Sequence, residues 1–339
     1  MALPGNALAV QAGQYAMFAL SAAALLLAAN HALGERALKW WTGILLVLGL
    51  AAIGGDLLRF RPHPLPAAIG AVHMWPFVLL AAQLLFNPAL RARVWQVLGW
   101  AVIALWAYWV FFGPWIFNTK GKWAPALIAI GLLLALRSFK LSALLGVLGL
   151  IASVLLWQMG YLGQAIAAES ASRYRILAWR DVLDMTSQSW LLGLGPVNYM
   201  YYFPTLGVGS LTYQDYVGRH PDLVYSLGQS ITIPSHNMFV DILAQTGLVG
   251  LLLFLVFVVL ALRLGWRLGH RLPPGFLRAH VFGVLCGFAA LLIGSFWFAD
   301  WLIPFVYNIT ISGFRHSVYT WLLLGTLVSM DYVWHKAEA

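Results

Sequence analysis

The residues best suited to chemistry lie around Pro234-Ser235-His236-Asn237, where a long polar stretch runs into an apolar one. An imidazole can take and return a proton near neutral pH, so His236 is the candidate general base. Upstream, Arg173, Arg175 and Arg180 supply planar guanidinium forks suited to phosphate oxygens. Downstream, Asn237, Asp241 and Gln245 recur every four residues and share one helix face. No second His or Cys stands at metal-ligand spacing from His236, and neither a Gly-x-Ser-x-Gly elbow nor a P-loop is present. The chemistry implied is proton transfer beside a bound anion, with no metal and no cofactor. A lone His is also a common structural residue, and by itself His236 fits either role.

These residues must be positioned by membrane helices. The chain is 62% hydrophobic and 9% charged, against ~45–50% and ~25% in soluble domains, which makes it a polytopic, all-α membrane protein. Its net charge of +9 is spread in pairs between apolar runs rather than clustered, so nucleic acid is not an expected partner. Cys286 lies inside an apolar run as a small hydrophobe. The first apolar run lacks a basic flank and a cleavage site, and is expected to be a retained helix.

Apolar runs cover Tyr15–Leu33, Trp40–Leu58, Ala67–Phe86, Val94–Phe112, Trp123–Leu136, Leu141–Trp157, Met238–Leu262, His280–Ile303 and Val318–Val333. At ~20 residues per span this gives about nine transmembrane helices. Trp123–Leu136 is short and must borrow from its flanks or snorkel Lys122 and Arg137. The division expected is an N-terminal bundle over 1–157, an extracytoplasmic loop over 158–235 and a C-terminal group of helices over 236–339. Placing Arg36/Lys39, Arg91/Arg93, Arg137/Lys140, Arg263/Arg267/Arg271/Arg278 and Lys336 in the cytoplasm satisfies the positive-inside rule. Arg59, Arg61, Lys120, Lys122 and Arg315 then fall outside, either as interfacial anchors among membrane lipids or as a cationic rim for an anionic, lipid-linked substrate.

Within the loop, Ile176, Trp179, Val182 and Leu183 recur at helical spacing, predicting an amphipathic helix over Ser172–Trp190 in the headgroup plane. Gly193-Leu194-Gly195-Pro196 stops it. A Tyr-rich run follows, through Tyr199, Tyr201, Tyr202, Tyr213, Tyr216 and Tyr225, which suits a membrane interface or sugar rings. Ser235 is the expected cap of an uninterrupted helix through Leu262. His236 and Asn237 fall in its first turn, where free backbone amides favour an anion. The costly Asp241 should point into the bundle, as part of a catalytic face or as an internal hydrogen-bonded strut.

Taken in order, Arg175-x-x-x-Trp179, Gly193-Leu194-Gly195-Pro196-x-Asn198-Tyr199 and His236-Asn237-Met238-Phe239-x-Asp241-x-Leu243-x-x-Thr246-Gly247-x-x-Gly250 resemble the O-antigen ligase/polymerase superfamily of bacterial inner-membrane enzymes. The likeness runs from Arg173 to Leu262. It implies a GT-C-like glycosyltransferase of lipopolysaccharide biosynthesis, inverting and metal-independent, with its active site on the periplasmic side. The donor implied is a glycan on undecaprenyl diphosphate, and the acceptor a hydroxyl of lipid A–core or of another glycan. By likeness His236 activates that hydroxyl and Arg175 holds the diphosphate. Arg173, Arg180, Asn237, Arg59 and Arg315 are candidate substrate contacts. Asn118-Thr119-Lys120-Gly121-Lys122-Trp123 resembles the family's outer Ser-Arg-Gly motif with Lys substituted, which makes Lys120 and Lys122 further candidate contacts. Family ligases usually carry more helices before the loop than the roughly six expected here.

Three functions remain open on the sequence. O-antigen ligases, O-antigen polymerases and protein O-oligosaccharyltransferases share these motifs. A solute transporter, of the bicarbonate kind for which some relatives have been labelled, is favoured by Asp241. Transporters typically show inverted repeats and interrupted helices, and the sequence shows neither. A non-enzymatic assembly subunit would need no particular residue at His236.

Overall fold

In a bilayer an apolar run can satisfy its backbone only as a helix or a closed barrel. The computed structural model describes residues 7–31, 34–57, 71–112, 120–158, 179–180, 182–196, 235, 237–297, 302–303 and 314–338, and among them there is no strand. The helices are α1 (Ala7–Asn30), α2 (Glu35–Leu57), α3 (Ala71–Phe86), α4 (Arg93–Phe112), α5 (Lys120–Arg137), α6 (Phe139–Gln158), α7 (Met238–Arg271), α8 (Phe276–Trp297) and α9 (Phe314–Glu338). Each apolar run coincides with the bulk of one of them. Among the described residues four stretches, Gln11–Asn30, Glu35–Gly55, Met238–Arg271 and Phe276–Phe296, are long and apolar enough to cross a membrane. The helix over the short fifth run, α5, begins at Lys120, ahead of the run itself.

The chain forms two compact units that cut across its linear order. One comprises Met1–Ser21, Leu156–Val258 and Ser295–Arg315; the other comprises Ala22–Leu155, Val259–Gly294 and His316–Ala339. The second unit is built around α3, whose Met74, Trp75, Phe77, Val78, Leu79, Ala81 and Ala82 are all buried. It packs chiefly on α5, then on α2 and α4. Small residues on α8 admit large neighbours. A Cβ on Gly283 would stand 3.0 Å from Leu79 Cδ2, and one on Gly287 would run into the six-membered ring of Trp75. The Trp75 indole N–H donates to Thr320 Oγ1 on α9 at 3.1 Å, which answers the need of a buried indole for an acceptor.

Polar ties gather several helix ends of this unit. Arg267 pairs with Asp331 at 2.7 Å, and the Ser329 hydroxyl donates to the His31 carbonyl. Gln83 Nε2 donates to the Phe276 carbonyl at 3.1 Å, and the Lys39 ammonium stands 5.5 Å over the Phe276 ring. The ends that the charge pattern assigns to one side are thus joined to one another: those of α1, α7 and α9 in one group, and of α2, α3 and α8 in another.

The first unit holds the loop residues and the first turns of α7. The amphipathic helix is α-helical over 179–180 and 182–186 and tightens to a 3₁₀ turn over Ser187–Ser189. Its stop at Gly193 and Gly195 is as expected, with φ of 71° and 89°.

Candidate functional site

α7 begins at Met238, and its cap is Asn237 rather than Ser235. Asn237 Oδ1 accepts from the amides of Phe239 at 3.0 Å and Val240 at 3.2 Å. These are the second and third helical positions, the usual targets of a capping side chain. Ser235 lies one step further out, where its hydroxyl accepts from the Asn237 amide and donates to the Asn237 carbonyl, both at 3.0 Å. The Asn237 carbonyl also accepts from the Asp241 amide at 3.0 Å. The amides of residues 237, 239, 240 and 241 are therefore already bonded within the chain. Four of the amides expected to favour an anion are thus taken, and that of His236 lies outside the described residues.

What remains is a side chain. Asn237 Nδ2 is buried and has no acceptor among the described residues. Asn237, Asp241 and Gln245 are all about 1% exposed or less, so the polar face of α7 does turn inward.

The expectation of an uninterrupted helix fails at Gly247. There φ is 66° and ψ is −168°, a conformation essentially confined to glycine. Breaking the helix at this point releases the carbonyls of Ala244 and Gln245 and the amides of Leu248 and Val249. The loop takes up all four. Leu194 N–H donates to Ala244 O at 2.8 Å and Gly195 N–H to Gln245 O at 3.1 Å. In return Leu248 N–H donates to Trp190 O at 2.8 Å and Val249 N–H to Leu191 O at 3.2 Å. Two helical bonds are exchanged for four between segments. Gly193 and Gly247 make this approach possible: a Cβ on either would strike the other strand's backbone, that of Gln245–Gly247 or of Leu191 and Gly193. The Gly-Leu-Gly element is thus a mate for the break in α7 as well as a helix stop. Gly247 serves that junction.

A third tie joins the amphipathic helix to the residue preceding His236. Trp179 Nε1 donates to the Ser235 carbonyl at 2.6 Å. Its ring meets Phe296 edge-on at 5.7 Å, and Phe239 stands 6.1 Å from Phe296 and 6.0 Å from Phe254. Phe296, against the Trp179 ring, is a residue that the sequence did not single out. Trp179 stood in the motif beside Arg175, but nothing in its spacing pointed to Ser235.

Of the expected site residues, Asn237 is placed as described. Arg180 is exposed and lies 3.9 Å from Asp184, one helical turn on. Lys120 opens α5 and Arg315 lies in the first turn of α9, with their side chains outside the description. His236, Arg175, Arg173 and Arg59 fall outside the described residues, as do the Tyr-rich run and the side chain of Lys122. No protein-family model matches this chain, and no curated protein is similar enough to register as a relative.

Proposed function

We propose that this chain is a multi-pass glycosyltransferase of the bacterial inner membrane that transfers a glycan from undecaprenyl diphosphate to an acceptor hydroxyl. It acts as an O-antigen ligase on lipid A–core, from the periplasmic side, with about nine spans in a GT-C-like arrangement. The acceptor oxygen forms a bond to the anomeric carbon as the bond from that carbon to the diphosphate breaks. His236 takes the hydroxyl proton, and undecaprenyl diphosphate leaves with its charge held by Arg175. Guanidinium groups aimed at the developing charge make this leaving group effective. Arg173, Arg180, Arg59, Arg315, Lys120 and Lys122 supply further positive charge for the donor, and Asn237 Nδ2 offers a buried donor beside the base.

The observation that carries this reading is the convergence of the three separated stretches on which the resemblance rests. Trp179 is bonded to Ser235, and Leu194 and Gly195 are bonded to Ala244 and Gln245. Residues far apart in sequence are held around the start of α7, as a shared site requires. Its test is a His236→Ala variant expressed in a strain lacking the chromosomal copy. The variant should insert normally and leave lipid A–core without glycan; full glycan on the core would overturn the assignment of the base. Glycans one repeat long in the deletion strain would identify a polymerase instead, and altered glycoprotein masses an oligosaccharyltransferase.

One observation favours transport. α7 is an interrupted helix with the buried Asp241 and Gln245 just before the break, the feature of transporters that the sequence did not reveal. In transporters the unwound carbonyls are left for ions, whereas here those of Ala244 and Gln245 are occupied by Leu194 and Gly195. Solute uptake into liposomes by the purified chain, without any glycan donor, would establish the transport reading.

A further inference from the structure

The turn bonded to α7 carries three large apolar side chains on its outside. Trp190 is 48% exposed, Leu191 63% and Leu192 67%. The α7 residues that hold this turn, Leu248 and Val249, are exposed too, and the exposed stripe continues through Leu252, Leu253, Val256, Val259 and Leu260. This stripe is aliphatic throughout. Helix faces that pack on other helices in a membrane are instead enriched in small residues, so α7 turns it to lipid.

The depth of the turn follows from α7. Arg263 is the first charge after the apolar run, and counting back ~20 residues of span from Leu262 puts the outer boundary near Leu243. Leu248 then lies about 8 Å inside at 1.5 Å rise per residue. Trp190 and Leu191 are one hydrogen bond away from Leu248 and Val249. Irregular backbone survives at that depth only if its polar groups are satisfied by protein. Here the Gly193, Leu194 and Gly195 amides and the Trp190 and Leu191 carbonyls all are. Charge stays at the other end of the segment, on the exposed Arg180 and Asp184.

We propose that Trp190, Leu191 and Leu192 form a shallow re-entrant wedge inserted among the acyl chains of the bilayer and locked to α7 through the break at Gly247. The loop is not a purely aqueous excursion: its tip reaches the 5–10 Å depth typical of amphipathic elements. The wedge fixes the height of Ser235 and Asn237 above the hydrocarbon. It stands independently of the glycan-transfer reading, since it rests on backbone bonding and exposed apolar surface alone.

Single-cysteine variants Leu191→Cys, Leu192→Cys and Asp184→Cys, made in a full-length Cys286→Ala chain, test this in liposomes. A charged, membrane-impermeant maleimide should label the Asp184→Cys protein readily and the other two roughly tenfold or more slowly, as insertion to this depth requires. A fluorophore attached at position 191 or 192 before reconstitution should be quenched by phosphatidylcholine brominated on its acyl chains. Labelling at 191 and 192 as fast as at 184 would place the tip in water and overturn the proposal. Slow labelling without quenching would show the tip covered by protein, such as a second copy of the chain, and overturn it equally. Leu192 makes no backbone bond to α7, so its variant reports even where the change at Leu191 disturbs folding.

Discussion

Glycine does opposite work at the junction between the loop and α7 and around α3. At Gly193 and Gly247 it permits a backbone conformation, and the neighbours that exclude a Cβ are themselves backbone. At Gly283, Gly287 and Gly99 it is an absence that side chains fill: Leu79, Trp75 and Leu84 occupy the space. The first arrangement holds a loop against a broken helix and fixes one geometry. The second packs regular helices and can adjust through side-chain motion. At Gly193 and Gly247 the close approach of two backbones sets the position of the loop on α7.

The contrast is most severely tested at Gly247. Gly247→Ala forces a Cβ into the Leu191 carbonyl and a conformation that costs up to ~3 kcal/mol in itself. It should lower thermal stability in detergent by at least that amount and abolish activity, with no relief from Leu191→Ala, because the obstacle is backbone. Gly287→Ala meets side chains alone, the Trp75 ring and Met74 Cε, and should cost about 1–3 kcal/mol. Paired with Trp75→Phe, it should be less damaging than the two single changes summed, as expected of residues in contact. Equal non-additivity in both pairs would erase the distinction. Asn237→Ala should cost about 1 kcal/mol through the lost cap. Asn237→Ser keeps a capping oxygen and should restore stability but not turnover, if Nδ2 serves the substrate. The smallest effect is expected far from the junction. Asp331→Asn, at a partly exposed pair with Arg267, should shift stability by less than ~1 kcal/mol and lose even that in salt.

The helices were legible because apolar length is a direct signal of a span, and the shared inward turn of Asn237, Asp241 and Gln245 followed from their four-residue spacing. The helix stop at Gly193 was equally plain. The break at Gly247 was not, because glycine is common within membrane helices and its partner lies more than fifty residues earlier, at Trp190–Gly195. The cap at Asn237 was missed for a related reason: Ser235 and Asn237 both favour that position, and local sequence does not say which carbonyl starts the helix. Trp179 was visible only as part of a motif, since its acceptor is a backbone carbonyl with no sequence signature. Tertiary hydrogen bonds to backbone decide the break and the place of Trp179, and local bonds from Asn237 Oδ1 decide the cap.

The central claim is that residues gathered at the start of α7 transfer a glycan from a lipid diphosphate. Its most direct test is the release of undecaprenyl diphosphate from the lipid-linked glycan by purified protein in liposomes containing the acceptor, with His236→Ala alongside. A positioned general base is worth ~10²–10⁴-fold, so the variant should fall by that factor while retaining its size-exclusion profile. Equal turnover by both proteins, or none by the wild type under conditions where a solute enters the liposomes, would contradict the account.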